Sequence, residues 1–266
     1  MAIYDCFQYF NEDHMLDLRF NILDEKVDYF VISESTKTHQ GNSKKLNFNI
    51  NNFKKYKKKI IYLVDDFENK NLFNHTGGES LVEQHQRNNI SNGLKKADDN
   101  DLIILSDSDE IPDLDKLKQI KSRTKFSAFS QMMFMYKLNL KNLDESNWIG
   151  SKVCLKKNFP LPQKLRDMKF KDYSFWRIDK LNTQIIKGGW HFSFLQTPKE
   201  IIKKIKAYSH GEFNTKELTN EKNIEEKMLK NIDIFNRGFN LKKIELDQSF
   251  PRFIQENKDI LKQWIA

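Results

Sequence analysis

The sequence predicts an α/β fold built on an open, mostly parallel sheet with helices on its faces. Three observations lead there. The first half runs strand, helix, strand, strand, helix, strand, an order that favours parallel pairing through crossover helices. Its strand-like runs, such as "DYFVIS" and "DLIILS", are aliphatic enough to be covered on both faces. And 266 residues, 38% of them hydrophobic and 21 of them Phe, suffice for a sizeable core.

The elements follow in chain order. "IYDCFQYF" (3–10) reads as a strand ending at Asn11, which is expected to cap a helix carrying Met15, Leu16, Leu18, Ile22 and Leu23 on one stripe. Residues 28–35 form the second strand and 58–67 the third. The polar Asn/Lys-rich stretch 37–58 between them reads as a loop. A helix is predicted from Glu79 to Ala97, a fourth strand over 101–107, and a Pro-started helix over 111–121. Beyond that, 126–140, 151–157, 173–178 and 185–195 read as strands, and 198–208, 221–236 and 253–264 as helices. With nine Gly and five Pro there is no flexible linker, so one domain spanning 1–266 is expected.

The formal net charge is +8, carried by lysine runs such as "KKYKKK" (54–59). The 37 acidic residues are well interspersed, which favours a solvated surface over a nucleic-acid groove. Two cysteines make neither a disulfide framework nor a zinc site. No apolar run approaches the ~18 residues of a membrane span. "MAIYDCFQYF" lacks the basic flank and cleavage site of a signal peptide. The expectation is a cytoplasmic protein whose basic surface suits peripheral contact with the inner face of a membrane.

The chemistry concentrates in "IILSDSDEIP" (103–112). Ligands of open α/β sheets sit at the carboxyl ends of strands, where Asp107 and Asp109 fall. Two crowded carboxylates repel unless a cation intervenes. Oxygen donors of this kind suit Mg²⁺ or Mn²⁺, which draw further ligands from phosphates. A nucleotide-sugar diphosphate is the natural substrate, since the metal stabilises its departure. A D-x-D alone is also met as an acidic turn capping a helix.

The blocks "IYDCFQYFNEDHMLDLRFNIL", "VDYFVISES", "KKIIYLVDDF", "ILSDSDEIP" and "GGWHFSFLQTPKEIIKKIKAYSHGEFN", in this order, resemble glycosyltransferase family 17 from about Tyr4 to about Gly238. The resemblance implies a GT-A type fold, a UDP-sugar donor with UDP-GlcNAc foremost, a divalent metal, and inversion at the anomeric carbon. It assigns a nucleotide-sugar half to about 1–121 and an acceptor- and metal-completing half to about 122–266. Animal members carry an N-terminal anchor and stem; this chain resembles an anchorless bacterial or viral type. Its expected acceptor is a surface glycan or lipid-linked oligosaccharide, in polysaccharide biosynthesis.

Asp109 is the expected main metal ligand, with Asp107 beside it on metal-bound water or the donor ribose, and Glu110 either behind the metal, holding the groups that ligate it, or on the sugar. A helix-start carboxylate is the plain alternative for Glu110. His191, after the close-approach pair Gly188–Gly189, is the expected third ligand, against a core histidine. His210 is the weaker candidate because the resemblance is poorer there, and Trp190 reads as core. Of Lys203, Lys204 and Lys206, Lys204 is placed against the diphosphate. Glu12 and Glu34, with Asp5, stand at the first strand ends, where base or ribose would be read. Arg19 reads as a structural ion pair. Arg87 is expected to bind diphosphate oxygens or clamp Asp107. His75 and His85 read as surface residues. Inversion needs a general base, for which Asp167, Asp172, Asp179 and Glu212 are candidates. Two rival functions use the same residues differently: a metal-dependent nuclease or phosphohydrolase, which would need a second acidic cluster, and a non-catalytic glycan-binding module, which would not need the acidic knot.

Overall fold

The computed structural model describes residues 1–66, 80–171, 182–207 and 213–266. At the centre lies β1 (Ile3–Gln8), paired in parallel with β2 (Tyr29–Ser35) on one side and β4 (Leu102–Ser106) on the other. β3 (Ile60–Asp65) extends the parallel half beyond β2. Strand alternation sends Phe7, Phe30, Ile32 and Ile104 to one core, and Cys6, Val31, Ile103 and Leu105 to the other. The first face packs beneath α1 (Asp13–Leu23), the second beneath α2 (Leu81–Gly93). Both faces are covered, which is why these strands read as unbroken aliphatic runs.

The second half of the sheet is antiparallel. β8 (Trp148–Leu155) joins β4, β6 (Phe126–Met135) joins β8, and β7 (Leu140–Asn142) with β10 (Leu241–Lys243) completes that edge. β9 (Thr183–Ser193) runs parallel to β6 and captures the two-residue β5 (Glu110–Ile111). α4 (Pro198–Ala207) and α5 (Glu221–Leu229) cover this half through Ile201, Ile205 and Ile224. The α/β class is as predicted, with a mixed sheet.

Several local expectations are corrected. The predicted helix over 111–121 is β5 followed by a 3-10 turn at Leu114–Gln119. Gly189 explains the change: at φ +108° it brings its backbone so close that a Cβ would lie 2.6 Å from the Ile111 carbonyl, so β9 recruits this segment. α5 stops at Leu229, and Asn231 takes a left-handed φ just beyond. The terminal helix is a short α6 (Arg252–Glu256) and a separate 3-10 turn at Lys262–Trp264, broken where Asn257 leaves the helical region. Asn11 does not cap α1; the N-cap is Glu12, without a side-chain bond. The 37–58 stretch contains a 3-10 turn (Ile50–Tyr56) that buries Phe53 and Tyr56 against Phe20. α3 (Pro162–Asp167) was not foreseen. The predicted strand 173–178 lies outside the described residues. Among the described residues, no helix is long and apolar enough to cross a membrane.

Candidate active site

Register places the site. β4 and β1 end side by side, Ser106 opposite Phe7. β8 runs the other way, with Leu105 opposite Lys152, so its start at Trp148 overhangs the end of β4. β5 then pairs Glu110 with His191, and the Phe192 amide donates to the Asp109 carbonyl at 2.9 Å. The Asp107–Ser108–Asp109 turn is thus held between the parallel half and β9. From within, Arg19 fixes its backbone. Fully buried, it grips Asp5 with two 2.6 Å bonds and donates through Nη1 to the carbonyls of Asp107 (3.2 Å), Ser108 (3.3 Å) and Glu110 (2.6 Å). Asp5 belongs to that ion pair and does not line the cavity.

A cavity of about 330 Å³ opens over this turn. Asp107 and Asp109 line it, 35% and 16% exposed. Arg166 of α3 binds Asp107 Oδ2 at 2.6 Å, and Arg87 of α2 stands 3.5 Å from Oδ1. Burial pushes the Asp107 carboxyl up, but Arg166 and then Arg87 outweigh it and hold it below the ordinary carboxylate value. Lys204 of α4 lies 3.5 Å from Asp109 Oδ2 and 3.2 Å from Glu12 Oε1. His191 Nε2 lies 3.6 Å from Asp109 Oδ1. Burial again acts upward on Asp109, and Lys204 and His191 overcome it to keep the group well below the usual range. Burial lowers the His191 imidazole, but Asp109 overrides it and raises the balance above the ordinary histidine value.

The residues fit a divalent ion in part. Asp109 and His191 face each other with oxygen and imidazole donors, and the buried His191 Nδ1 has no hydrogen-bond partner among the described residues. Asp107 is turned to Arg166 instead, and among the described residues no three His, Cys, Asp or Glu side chains form a ready metal cage.

Of the predicted residues, Asp107, Asp109, His191, Arg87, Glu12 and Lys204 meet in this cavity. Arg87 also binds Glu83 at 2.7 Å, and it bonds Gln163. For Glu110 the contact with the sugar is corrected, since it does not line the cavity. It is fully buried behind the wall, bonded by Trp148 Nε1 at 2.8 Å, by Arg166 Nη1 at 3.1 and 3.2 Å, and by the Asp107 amide at 3.1 Å. Gly150 makes room chiefly for Gln131, since a Cβ there would lie 1.8 Å from Gln131 Oε1, and also for Glu110, whose carboxyl carbon would be 3.0 Å away. Glu34 is corrected too. Its carboxylate is buried away from the cavity and accepts from Lys44 (2.5 Å), Asn47 (2.8 Å), Phe48 (3.0 Å) and Tyr62 (2.9 Å), anchoring the following loop. Asp167 is exposed, accepts from Gln163 at 2.9 Å and does not line the cavity. Asp172, Asp179, Glu212, His210 and His75 lie outside the described residues. His85 sits 2.6 Å from Asp65, and Trp190 is core, as read.

Sequence reasoning missed Arg166, Trp148, Glu83, His39 and Arg237, all of which line the cavity. Only Glu83 left a signal, four residues before Arg87 on one helix face.

Fold and cleft together define an α/β enzyme whose charged centre lies at the carboxyl ends of its parallel strands. The chain belongs to glycosyltransferase family 17, whose sequence profile matches residues 1–238, and it is a glycosyltransferase. No curated protein matches it. Among solved structures it is similar to a putative glucose-1-phosphate thymidylyltransferase from Bacillus anthracis, at 10% identity over 71% of this chain and 88% of that one, with a TM-score of 0.38. It is also similar to the 2-C-methyl-D-erythritol 4-phosphate cytidylyltransferase of Francisella tularensis, at 10% identity over 71% and 91%, with a TM-score of 0.35.

Proposed function

We propose that this glycosyltransferase is metal-dependent and inverting, and that it moves GlcNAc from UDP-GlcNAc to a hydroxyl of a glycan. The observation that carries this reading is the pairing of Asp109 with His191 beside Lys204 and Arg87 in one cleft. Acidic and imidazole donors suit Mn²⁺ or Mg²⁺, and the cations suit a diphosphate. Asp109 and His191 would hold the ion, which when bound supplies positive charge against the departing diphosphate.

The chain's own residues do the rest. Arg166 and Arg87 keep Asp107 ionised and pointed into the cleft. Arg19 fixes the turn, so the carboxylates need little reorganisation as charge develops. Lys204, between Glu12 and Asp109, supplies an ammonium for phosphate oxygens. Among the described residues, Glu12 and Glu83 are the other carboxylates in the cleft, and Glu83 is held below its ordinary value by His39 and Arg87 against the upward push of burial. The test is UDP release from a panel of UDP-sugars with Mn²⁺, with and without chelator. Turnover with UDP-GlcNAc that stops on chelation and returns with Mn²⁺ is expected. Undiminished turnover in excess chelator removes the metal, and preference for another UDP-sugar removes GlcNAc.

A further inference from the structure

The wall of the cleft that faces the parallel strand ends is built differently. Phe194, Phe235 and Arg237 line it, with the Phe194 and Phe235 rings 5.7 Å apart and edge-on. Arg237 is 40% exposed. One edge of its guanidinium is spent on the buried Asp233, through Nε at 2.9 Å and Nη2 at 2.8 Å. Asp233 also accepts from the Arg237 amide, so the carboxylate fixes both backbone and side chain. The guanidinium lies over Phe235 at 5.3 Å and Phe239 at 4.2 Å. Nη1 has no partner among the described residues; Glu145 is close enough to attract the cation, yet no ion pair or hydrogen bond joins them. A planar cation oriented by a buried anion, stacked on aromatics and left with one open edge, is prepared for a bidentate oxyanion. Phe194, with the Lys204 ammonium 5.7 Å over its ring, and Phe235, packed on Phe213 at 4.3 Å, line the cleft beside it and offer apolar surface to the C–H groups of a sugar.

We propose that Arg237 selects an anionic acceptor: a saccharide whose carboxylate or phosphate docks on the open edge of this guanidinium while its ring lies against Phe194 and Phe235. The proposal deepens the transferase reading and rests on it for the identity of the acceptor side. The net charge of +8 favours capture of such a chain at long range.

The test uses the whole protein and three probes: a β-linked glucuronic acid–N-acetylglucosamine disaccharide, its carboxyl-reduced neutral counterpart, and that counterpart phosphorylated at the 6-hydroxyl. Affinities are measured by ligand-observed NMR, with UDP and Mn²⁺ titrated in parallel. One or both charged probes bind about tenfold or more tighter than the neutral one, as a charge-assisted bidentate contact requires, and the better one names the group. Arg237→Met removes the difference while UDP affinity stays unchanged. Arg237→Lys, which keeps charge without the fork, retains part of it and covers the case in which the methionine variant does not fold. Equal binding of the neutral probe, no binding of either charged probe at millimolar concentration, or a charge preference surviving in folded Arg237→Met overturns the proposal. Lost UDP affinity in Arg237→Met also overturns it, by moving the residue to the donor side. Failure of the wild type to bind UDP sinks the donor reading instead and leaves the probe comparison standing.

Discussion

The two halves of the sheet contribute opposite things to one cleft. The parallel half, with the turn that leaves β4, delivers carboxylates: Asp107 and Asp109 after β4, and Glu12 after β1. The antiparallel half and its helices deliver most of the partners: Trp148 from β8, Arg166 from α3, His191 from β9 and Lys204 from α4, with Arg87 of α2 joining them from the parallel half. Crowded acids would take up protons without the cations, and the cations would repel without the acids. The charge balance of the cleft is therefore completed by groups from both halves.

That division can be broken most severely at Asp109. Asp109→Ala is expected to reduce sugar transfer by at least about a hundredfold, the scale of losing one group that stabilises developing charge. The protein should stay folded, because Arg19 holds the backbone of the turn and only the pairs of Asp109 with Lys204 and His191 are lost. Circular dichroism with a transfer assay checks both parts, and near-normal transfer would remove Asp109 from the chemistry.

The clamp is the next place to press. Arg19→Met leaves Asp5 charged in a fully buried site, which should destabilise the protein by about 3–5 kcal/mol in urea unfolding. A change under about 1 kcal/mol would show that the pair is not structural.

His191 sharpens the comparison, since it is the only imidazole facing Asp109 among the described residues. His191→Ala should raise the Mn²⁺ concentration needed for half activity by about tenfold or more, in line with losing a metal-shell group. An unshifted metal dependence with lowered stability would make it a core histidine.

The smallest effect is expected at Lys152 of β8, buried, bonded to the Arg166 carbonyl and 3.0 Å from the Met168 carbonyl. Burial, with Arg166 adding to it, lowers this ammonium to about 8. The unfolded chain keeps the ordinary value of 10.5, so between the two the unfolded state binds the extra proton. Wild-type stability should therefore rise relative to Lys152→Met as pH climbs from about 8 toward 10.5. A flat difference across that window would contradict the burial of the charge.

Much of this was readable from the chain because it is local. Unbroken aliphatic runs mark the parallel strands, and the carboxylates begin one residue beyond a strand, where α/β ligands gather. Glu110 and Glu34 misled for the same reason: next to a strand end, one residue's shift decides between the cleft and the interior. Glu110 turned inward to Trp148 and Arg166, and Glu34 to the amides of its own loop.

By itself the sequence determined the α/β class, the acidic turn, and the family blocks that span both halves of the chain. Arg87 and His191 were expected near the acidic turn, but only the tertiary structure brought Arg166 to Asp107 and Lys204 to Asp109. Arg166 lies 59 residues from Asp107, and Lys204 95 residues from Asp109. β5, too, is a strand only because β9 passes over it. The physical reason is that a carboxylate's neighbours in sequence are set by the chain, while the cations that keep it ionised arrive from distant segments, and no local pattern names which distant Lys or Arg the folded sheet and helices will bring to it.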